Sequence, residues 1–263
     1  MKSFPGHRAA HHGIFLSLYG GVGRVADALA RHGMDGCIID LDGNPANDVT
    51  NGLVQQDIDV LLDSGHVSIL GIEVVCSSWS QARRAPRWSR MPHRLRTAGQ
   101  FIMGLPGLSE SEKLHVKLGN KMYRHAIRCI WKCIDKNIRG YLEQPATSLF
   151  WHTPGIKRLL RTGHAFLCTA DMCQYGTQFK KPTTFLFWGV EPSAIKLSRC
   201  CMVHNRCSRT GKKHVLLSGI SGKRFLTRAA QVYPRDLASA VAEQLLFAAP
   251  LKNKAALSPT LPP

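Results

Sequence analysis

Four apolar segments, each closing on a glycine, an acid or a cysteine, constrain the fold of this chain most strongly. They are GIFLSLYGG from Gly13, GCIIDLD from Gly36, HVSILGIEVV from His66 and IRGYLEQP from Ile138. Residues 24–32 and about 120–136 are predicted as helices, the first because Val25, Ala28 and Leu29 share one helical face. Alternating strands and helices predict an α/β fold, in which helices cover both faces of a mostly parallel sheet.

The carboxyl-terminal half continues this pattern with a change. HAFLCTAD from His164 and TTFLFWG from Thr183 are too close together for a full helix between them, so they predict an antiparallel edge hairpin. A last helix is predicted from Asp236, a suitable N-cap residue, to about Phe247. The expected organisation is a flexible amino terminus (1–12), a main domain (13–190), a basic loop region (191–235), a helix that completes the domain (236–248) and a disordered tail (249–263).

The charge of the chain favours a polyanionic partner. Its 263 residues include 35 Lys and Arg against 17 Asp and Glu, which gives a formal net charge of +18. The excess is local, because neither residues 74–109 nor residues 192–235 contain an acidic residue. This distribution predicts nucleic-acid binding, and a solvated basic surface without such a role is the alternative.

The nine cysteines are an odd number, and no secretory signal peptide is recognisable. We therefore expect reduced thiols and an intracellular protein, nuclear in a eukaryote and otherwise cytoplasmic. The apolar runs are too short to cross a membrane, so no membrane partner is expected. We also expect a monomer.

A glycine-rich turn follows the first strand in LYGGVGRVADAL. Glycines at 20, 21 and 23 allow a tight turn and close approach of a ligand to backbone N–H groups, but the Gly-Lys-Ser/Thr ending of a phosphate-binding P-loop is missing. Asp40 ends the next strand, where an acid can bind the ribose hydroxyls of an adenosine-containing cofactor. Asp42 competes for that role, and a structural turn with a capping aspartate is the alternative. Asp57 either faces the adenine or is a solvated loop carboxylate.

Cys76 and Glu143 each end a later apolar strand. Ligands of open parallel sheets bind at the carboxyl ends of the strands, which places both residues on the same rim as the glycine turn. Cys76 is therefore a candidate nucleophile. The serines and arginines that follow it are expected to favour the thiolate. A structural cysteine and a glutamate that caps a loop are the alternatives.

These motifs occur in the order found in DNA cytosine-5 methyltransferases, and the chain resembles that family from about Phe15 to Leu245. FLSLYGGVG is similar to the family's cofactor motif, and EVVCSSWS to its Pro-Cys-Gln-x-Phe-Ser nucleophile motif. EQP, beginning at Glu143, is similar to its Glu-Asn motif. CQYGTQFKKPT resembles a later segment whose basic residue is nearest to Lys181.

The resemblance implies a Rossmann-like class I methyltransferase fold with a seven-stranded sheet and S-adenosylmethionine as the cofactor. It implies catalytic roles for Cys76, Glu143 and Lys181. It places the cofactor on seven residues: Tyr19, Gly21, Val22, Gly23, Asp40, Leu41 and Asp57.

The same resemblance implies methyl transfer to C5 of cytosine in double-stranded DNA. The Cys76 thiolate would add at C6 while Glu143 acts at N3, and the base would be flipped out of the duplex. Candidate nucleic-acid contacts are Ser78, Arg83, Arg84, Arg87, Arg90, Arg206, Arg209, Lys212 and Lys213. A solvated basic loop is the alternative for the arginines after Cys76, and RNA is the alternative substrate.

The chain also departs from the family pattern. Ser17, Val75, Gln144 and Lys181 replace an acid, a proline, an asparagine and an arginine, respectively. The region before the last helix is too short for a large target-recognition domain. An inactive, methyltransferase-like DNA-binding module is therefore a further alternative.

A cysteine and histidine cluster lies in the basic loop RCCMVHNRCSRTGKKH. Four of its side chains could bind zinc tetrahedrally, but the paired Cys-x-x-Cys spacing of common zinc sites is missing. We predict no metal, with zinc on Cys200, Cys201, His204 and Cys207 as the alternative; His214 and Cys173 are further possible ligands.

Overall fold

The computed structural model describes residues 2–4, 13–41, 44–83, 93–202, 204–217, 220–221, 224–225 and 230–251. The strands are β1 (Lys2–Phe4), β2 (Ile14–Leu18), β3 (Asp35–Ile39), β4 (Val67–Ile72), β5 (Arg139–Pro145), β6 (Ala165–Asp171), β7 (Pro182–Trp188), β8 (Ile220–Ser221) and β9 (Arg224–Phe225). The α-helices are α1 (Arg24–Arg31), α2 (Gly52–Asp63), α3 (Glu110–Asp135), α4 (Pro154–Thr162) and α5 (Arg235–Phe247).

The main sheet has the strand order β1-β3-β2-β4-β5-β7-β6, and β8 and β9 form a separate hairpin. β2 pairs in parallel with β3 and β4, and β4 pairs in parallel with β5. β7 runs antiparallel to both β5 and β6. The mixed, mostly parallel α/β sheet and the antiparallel β6–β7 pair are therefore confirmed. The order reverses between β2 and β4, which is where Rossmann-like sheets bind ligands.

Six strands, β2 to β7, form the body of the sheet, one fewer than the predicted seven, and the three-residue strand β1 is added at the edge beside β3. The segment after β3 folds as helix α2, because Ile58 and Leu62, four residues apart, are both buried on one helical face. The short strand β1 instead pairs antiparallel with β3. Lys2–Phe4 therefore do not belong to a flexible terminus, since they satisfy backbone groups at the β3 edge.

Helices cover both faces of the sheet, as predicted. α2, α3 and α4 pack on one face around Leu16, Leu70 and Leu142. α1 and α5 pack on the other around Phe15, Tyr141 and Phe187. Because the strands alternate their side chains between these two apolar layers, the chemistry is confined to the strand ends.

Two helix boundaries differ from the sequence prediction. α3 begins at Glu110, about ten residues earlier than expected, because Ser109 and Glu112 form a capping box: the Glu112 N–H donates to Ser109 Oγ (3.4 Å) and the Ser109 N–H to Glu112 Oε2 (2.9 Å). α4 was not predicted. It begins at Pro154 and is closed by Gly163 in the left-handed conformation.

The start of the predicted tail is ordered. The Glu191 N–H donates to Ala249 O (3.0 Å), and the Leu251 N–H donates to Gly189 O (3.3 Å). Residues 249–251 therefore pair with the segment after β7, and the rest of the predicted tail lies outside the described residues. Within the described ranges, no helix combines the length and apolarity that a membrane crossing needs.

Candidate active site

A cavity of about 290 Å³ opens at the carboxyl ends of β2, β4 and β5. Its walls come from four parts of the chain: the glycine turn after β2, the segment Glu73 to Cys76 after β4, Glu143 in β5, and Lys181 before β7. Gln231, Val232 and Tyr233 complete it. The structure thus brings the three predicted catalytic residues and the predicted glycine turn to one cavity.

The glycine turn has the backbone that its sequence predicts. Gly21 and Gly23 have φ values of 48° and 73°, and Tyr19 has a φ of 60°. Glycine adopts this region without the steric cost that other residues meet. The Gly21 N–H donates to Asp40 Oδ2 (2.9 Å), which joins the turn to the end of β3. The predicted partners Gly21 and Asp40 are therefore adjacent.

Two exposed apolar side chains flank this junction. Val22 is 59% exposed and lies on the cavity wall, and Leu41, directly after Asp40, is 55% exposed. The Tyr19 hydroxyl is buried and has no hydrogen-bond partner among the described residues. Exposed apolar surface beside a buried polar atom without a partner fits a site that a ligand with an apolar ring and polar edges would cover.

Asp57 is exposed on helix α2 and is not among the residues that line the cavity, so its assignment to the adenine side stays a prediction. Burial raises the pKa of Tyr19, and Asp48, which the sequence analysis did not select, raises it further, with a smaller effect from Asp40. Asp48 Oδ1 also accepts from the Thr50 N–H (2.8 Å) and hydroxyl (2.7 Å). Asp42 lies outside the described residues.

Cys76 is half-buried at the cavity wall, in a turn closed by the Trp79 N–H donating to Cys76 O (3.0 Å). Burial raises the pKa of its thiol, and the Glu143 carboxylate raises it further, while Lys181 acts in the opposite direction. The expected thiolate is therefore not favoured by the described surroundings. The arginines at 84, 87 and 90 lie outside the described residues.

Glu143 is 9% exposed within β5. Burial raises the pKa of its carboxyl group, and the Lys181 ammonium group and the neighbouring Tyr233 hydroxyl partly offset this effect. Its buried Oε1 has no hydrogen-bond partner among the described residues. A buried carboxyl oxygen without a partner beside an open cavity is available for a ligand that carries a ring nitrogen.

Glu73, which the sequence analysis missed, is a second acid at this cavity. It directly follows β4, and Tyr141 donates its hydroxyl to Glu73 Oε1 (2.7 Å). Burial raises the pKa of Glu73 to about 8. The signal was present in the sequence, since Glu73 ends an apolar strand as Glu143 does.

Lys181 supplies the positive charge at this group of acids. Its Nζ donates to Ala230 O (2.8 Å) and holds the segment before α5 against the cavity. The Tyr233 hydroxyl, also buried there, has a raised pKa, because burial is reinforced by the nearby carboxyl groups of Glu143 and Glu73. Burial raises the pKa of both Glu73 and Glu143, and the Lys181 ammonium group lowers the pKa of both.

A buried arginine supports the turn that carries Cys76. Arg96 donates to Ser78 O (3.1 Å) and Ser78 Oγ (3.2 Å), and its guanidinium group lies 3.6 Å from the centre of the Trp79 ring. On the other side, the Gln144 side-chain amide donates to Val74 O. Ser78 is only 3% exposed, so its prediction as a nucleic-acid contact is wrong: its hydroxyl is used to hold Arg96.

The predicted cationic contacts fall into three groups. Arg83 is half-buried and donates through Nε to His93 O (3.0 Å), so it closes the base of the segment 84–92. Arg84, Arg87 and Arg90 lie inside that segment and outside the described residues. Arg206, Arg209, Lys212 and Lys213 are exposed in the later loop, although Arg209 also donates to Cys173 O (2.6 Å).

The structure also changes the metal-ligand set. Cys201 and His204 are exposed and lie outside the cluster, so the predicted zinc alternative has two wrong members. Cys200 and Cys207 instead meet Cys173 and His214. Neighbouring positions in a loop point in different directions, and linear spacing could not select between them.

Comparisons with known proteins add little to this site. A scan against protein-family models found no match. A search of curated proteins also found none. Among solved structures, the Entamoeba histolytica methyltransferase EhMeth is similar, with 9% sequence identity and a TM-score of 0.38 over 67% of this chain and 52% of that chain. The chain thus spans about half the length of that structure, and a TM-score of this size carries no argument.

Proposed function

We propose that this protein transfers a methyl group from S-adenosylmethionine to C5 of cytosine in DNA, with Cys76 as the nucleophile. The observation that carries the proposal is the shared cavity: Cys76, Glu143 and Lys181 line the same space as the glycine turn. A nucleophile, an acid with a raised pKa and a cofactor turn are the groups that this reaction needs, and the resemblance in motif order supports the same assignment.

The cofactor would be held at the glycine turn. Asp40, whose Oδ2 accepts from the Gly21 N–H, would bind the ribose hydroxyls, and the exposed side chains of Val22 and Leu41 would contact the adenine. When bound, S-adenosylmethionine supplies an electrophilic methyl group. The fit depends on the turn and its apolar flanks.

The protein groups handle the protons of the addition step. Cys76 starts as a neutral thiol, because its pKa is raised. In its ionised form Glu143 can take the thiol proton and deliver it to N3 of cytosine while the sulfur forms a bond to C6. The added electron density makes C5 nucleophilic. Transfer of the methyl group to C5 would leave S-adenosylhomocysteine. A base then removes the C5 proton, and the electrons of that C–H bond break the bond between sulfur and C6. The N3 proton returns through Glu143 to the Cys76 thiolate, which restores the neutral thiol.

The substrate must enter as a single flipped base. A cavity of about 290 Å³ cannot admit a duplex, so the target nucleotide leaves the stack before it reaches Cys76. The exposed cationic side chains of the loop after β7 are available to contact backbone phosphates of the same DNA molecule. An RNA substrate would use the same chemistry, and the test below includes it.

Covalent trapping tests the proposal. DNA that contains 5-fluorocytosine blocks release of the C5 substituent, so incubation with S-adenosylmethionine should leave a protein–DNA adduct that survives denaturation. We expect the adduct with the wild type and with Cys201→Ala, whose altered thiol is exposed and distant in sequence, but not with Cys76→Ala. Peptide mass spectrometry should locate it on Cys76.

Two controls make it possible to interpret a result in which no adduct forms. Calorimetric titration should show S-adenosylmethionine binding that is weakened by Asp40→Ala. Labelled RNA offered in competition should not reduce the adduct with DNA. A folded protein that binds the cofactor and forms no adduct with DNA would overturn the proposal, and an adduct with RNA alone would move the activity to RNA.

A further inference from the structure

We propose that Cys173, Cys200, Cys207 and His214 form a structural zinc site. One ligand atom from each residue lies within 4.8 Å of every other. All three cysteines are buried and His214 is half-buried. This inference does not depend on the proposed methyl transfer, because it rests on a separate group of side chains.

The separations match tetrahedral zinc. Cys200 Sγ lies 4.0 Å from Cys207 Sγ and 3.9 Å from His214 Nε2. Zinc–sulfur bonds of about 2.3 Å in tetrahedral geometry place two sulfur atoms ~3.8 Å apart. A disulfide would need ~2.0 Å, and the cysteines are free. The sulfur atoms are thus arranged around a common centre.

The donor set selects the metal class. Three thiolates and one neutral imidazole suit zinc, whereas calcium and magnesium prefer oxygen ligands. On binding, the three thiols release their protons to solvent, and the site carries a net charge of −1. Residues 192–235 contain no acidic residue, and Arg209 donates to the Cys173 carbonyl oxygen. The positive charge of this region would therefore stabilise a zinc site that carries a net negative charge.

Outer contacts orient the ligands. The Gln174 side-chain amide lies 3.6 Å from both Cys173 Sγ and Cys207 Sγ, and the Ser208 hydroxyl lies 3.7 Å from Cys200 Sγ. Asp171 is fully buried and accepts from the Cys200 N–H (2.8 Å). Donors directed at sulfur and a buried anchor on the backbone are typical second-layer contacts of thiolate metal sites.

The position of the site gives it a structural role. Cys173 belongs to a short 3-10 helix, Met172–Tyr175, that follows β6, while the other three ligands come from the loop after β7. The three cysteines form an apolar cluster of their own, apart from the two main cores. A zinc ion would therefore fix the loop that carries Arg206, Lys212 and Lys213 onto the edge of the sheet.

Metal content tests the site in the full chain. Protein expressed with zinc and purified under reducing conditions should contain about one zinc per chain by elemental mass spectrometry. Cys201→Ser and His204→Ala are matched controls in the same loop and should keep it. Cys173→Ser and Cys207→Ser should lose most of it. Loss from the controls, or retention by both ligand variants, would overturn the assignment.

A second measurement uses the wild-type protein and therefore does not depend on whether the cysteine variants fold. Wild-type protein stripped of metal should bind Co²⁺ with the intense visible bands of a tetrahedral thiolate site and should release it to zinc. A wild type that lacks zinc and gives only the weak spectrum of octahedral Co²⁺ would overturn the proposal. So would a disulfide between Cys200 and Cys207 in protein purified under reducing conditions.

Discussion

Cysteines occur in this molecule in two settings that differ in their neighbours. Cys76 lies at a strand end beside a cavity, where Glu143 and Lys181 are the charged groups that affect its pKa. Cys173, Cys200 and Cys207 face one another and His214 in a stretch rich in cations. A thiol beside an acid and an open cavity can react with a substrate, whereas thiols that face each other can share a metal. The neighbours, and not the residue type, separate the two functions.

Each setting is supported by one buried charged side chain. Arg96 holds the turn after Cys76 by donating to Ser78 O, Ile102 O (3.0 Å), Val116 O (3.0 Å) and the side chain of Asn120 (2.6 Å). Asp171 holds Cys200 by accepting from its N–H and from Arg199 Nε (2.9 Å). The charge of each side chain matches the groups that it binds. The Arg96 guanidinium group donates to carbonyl oxygens, and the Asp171 carboxylate accepts from N–H groups.

Replacing Cys76 separates the two settings most strongly. Cys76→Ser should lower methyl transfer by about 10⁴-fold or more, because a serine hydroxyl is a far weaker nucleophile toward C6. Its zinc content should stay that of the wild type. Tritium transfer from labelled S-adenosylmethionine to DNA measures the rate. Activity within tenfold of the wild type would assign Cys76 to packing.

The acid beside Cys76 should have the next largest effect. Glu143→Gln keeps the size of the side chain but removes its proton transfer, so methyl transfer should fall by about 10²–10⁴-fold. Glu110→Gln alters an exposed glutamate that pairs with Lys113 and should leave the rate unchanged. Single-turnover kinetics should place the loss in the chemical step. An equal effect of both variants would contradict the role of Glu143.

Arg96 is expected to act on stability before activity. Arg96→Met should lower the free energy of unfolding by at least about 3 kcal/mol, because several buried acceptors would lose their donor together. Arg94→Met, two residues earlier and exposed, should change it by less than about 0.5 kcal/mol. Urea unfolding followed by tryptophan fluorescence measures both. Similar midpoints for the two variants would show that the turn after Cys76 is held by other contacts.

The sequence was informative where a candidate functional residue lies at the end of a predicted strand. Gly21, Asp40, Cys76 and Glu143 end successive strands of a mostly parallel sheet, and that topology brings them to one rim. The same argument would have selected Glu73. Asp57 lies instead on a helix, with Ile58 and Leu62 buried on one face, and so it does not follow a strand end.

The loop ligands could not be predicted in the same way. Cys200, Cys207 and His214 follow one another at intervals of seven positions. This interval is about two turns of an α-helix, but the structure has these residues in a loop, so the interval alone does not predict that they meet. Their partner Cys173 is distant in sequence and reaches them only because β6 and β7 are adjacent. Ser78 failed for a related reason: its burial depends on Arg96, which approaches from outside the motif. Which of these side chains meet depends on tertiary contacts, and the local sequence pattern does not contain that information.

The acids of the cavity should give the chain a characteristic pH dependence. The pKa of Glu73 is raised from 4.5 to about 8, so the folded protein holds a proton that the unfolded chain has lost. The free energy of unfolding should therefore fall as pH rises from about 4.5 to about 8, by at most about 1.4 kcal/mol per pH unit from this group. Glu73→Gln should flatten the decline, and Glu110→Gln should not. A decline of the same slope in Glu73→Gln would assign it to Glu143 or to other groups.

The smallest expected effect concerns the loop that the zinc ion would fix. Removing both charges in Lys212→Gln/Lys213→Gln should make the salt dependence of DNA affinity shallower by about two in the plot of log K against log salt, because each phosphate contact contributes about 0.9 to the slope. Lys136→Gln/Arg161→Gln removes the same charge at the opposite edge of the sheet, where α3 and α4 end, and should keep the wild-type slope. Fluorescence anisotropy over a range of salt concentrations measures both. Equal slopes in the two double variants would mean that the loop of residues 200–214 lies away from the DNA, and the phosphate contacts would then have to come from other cations, such as those that follow Cys76.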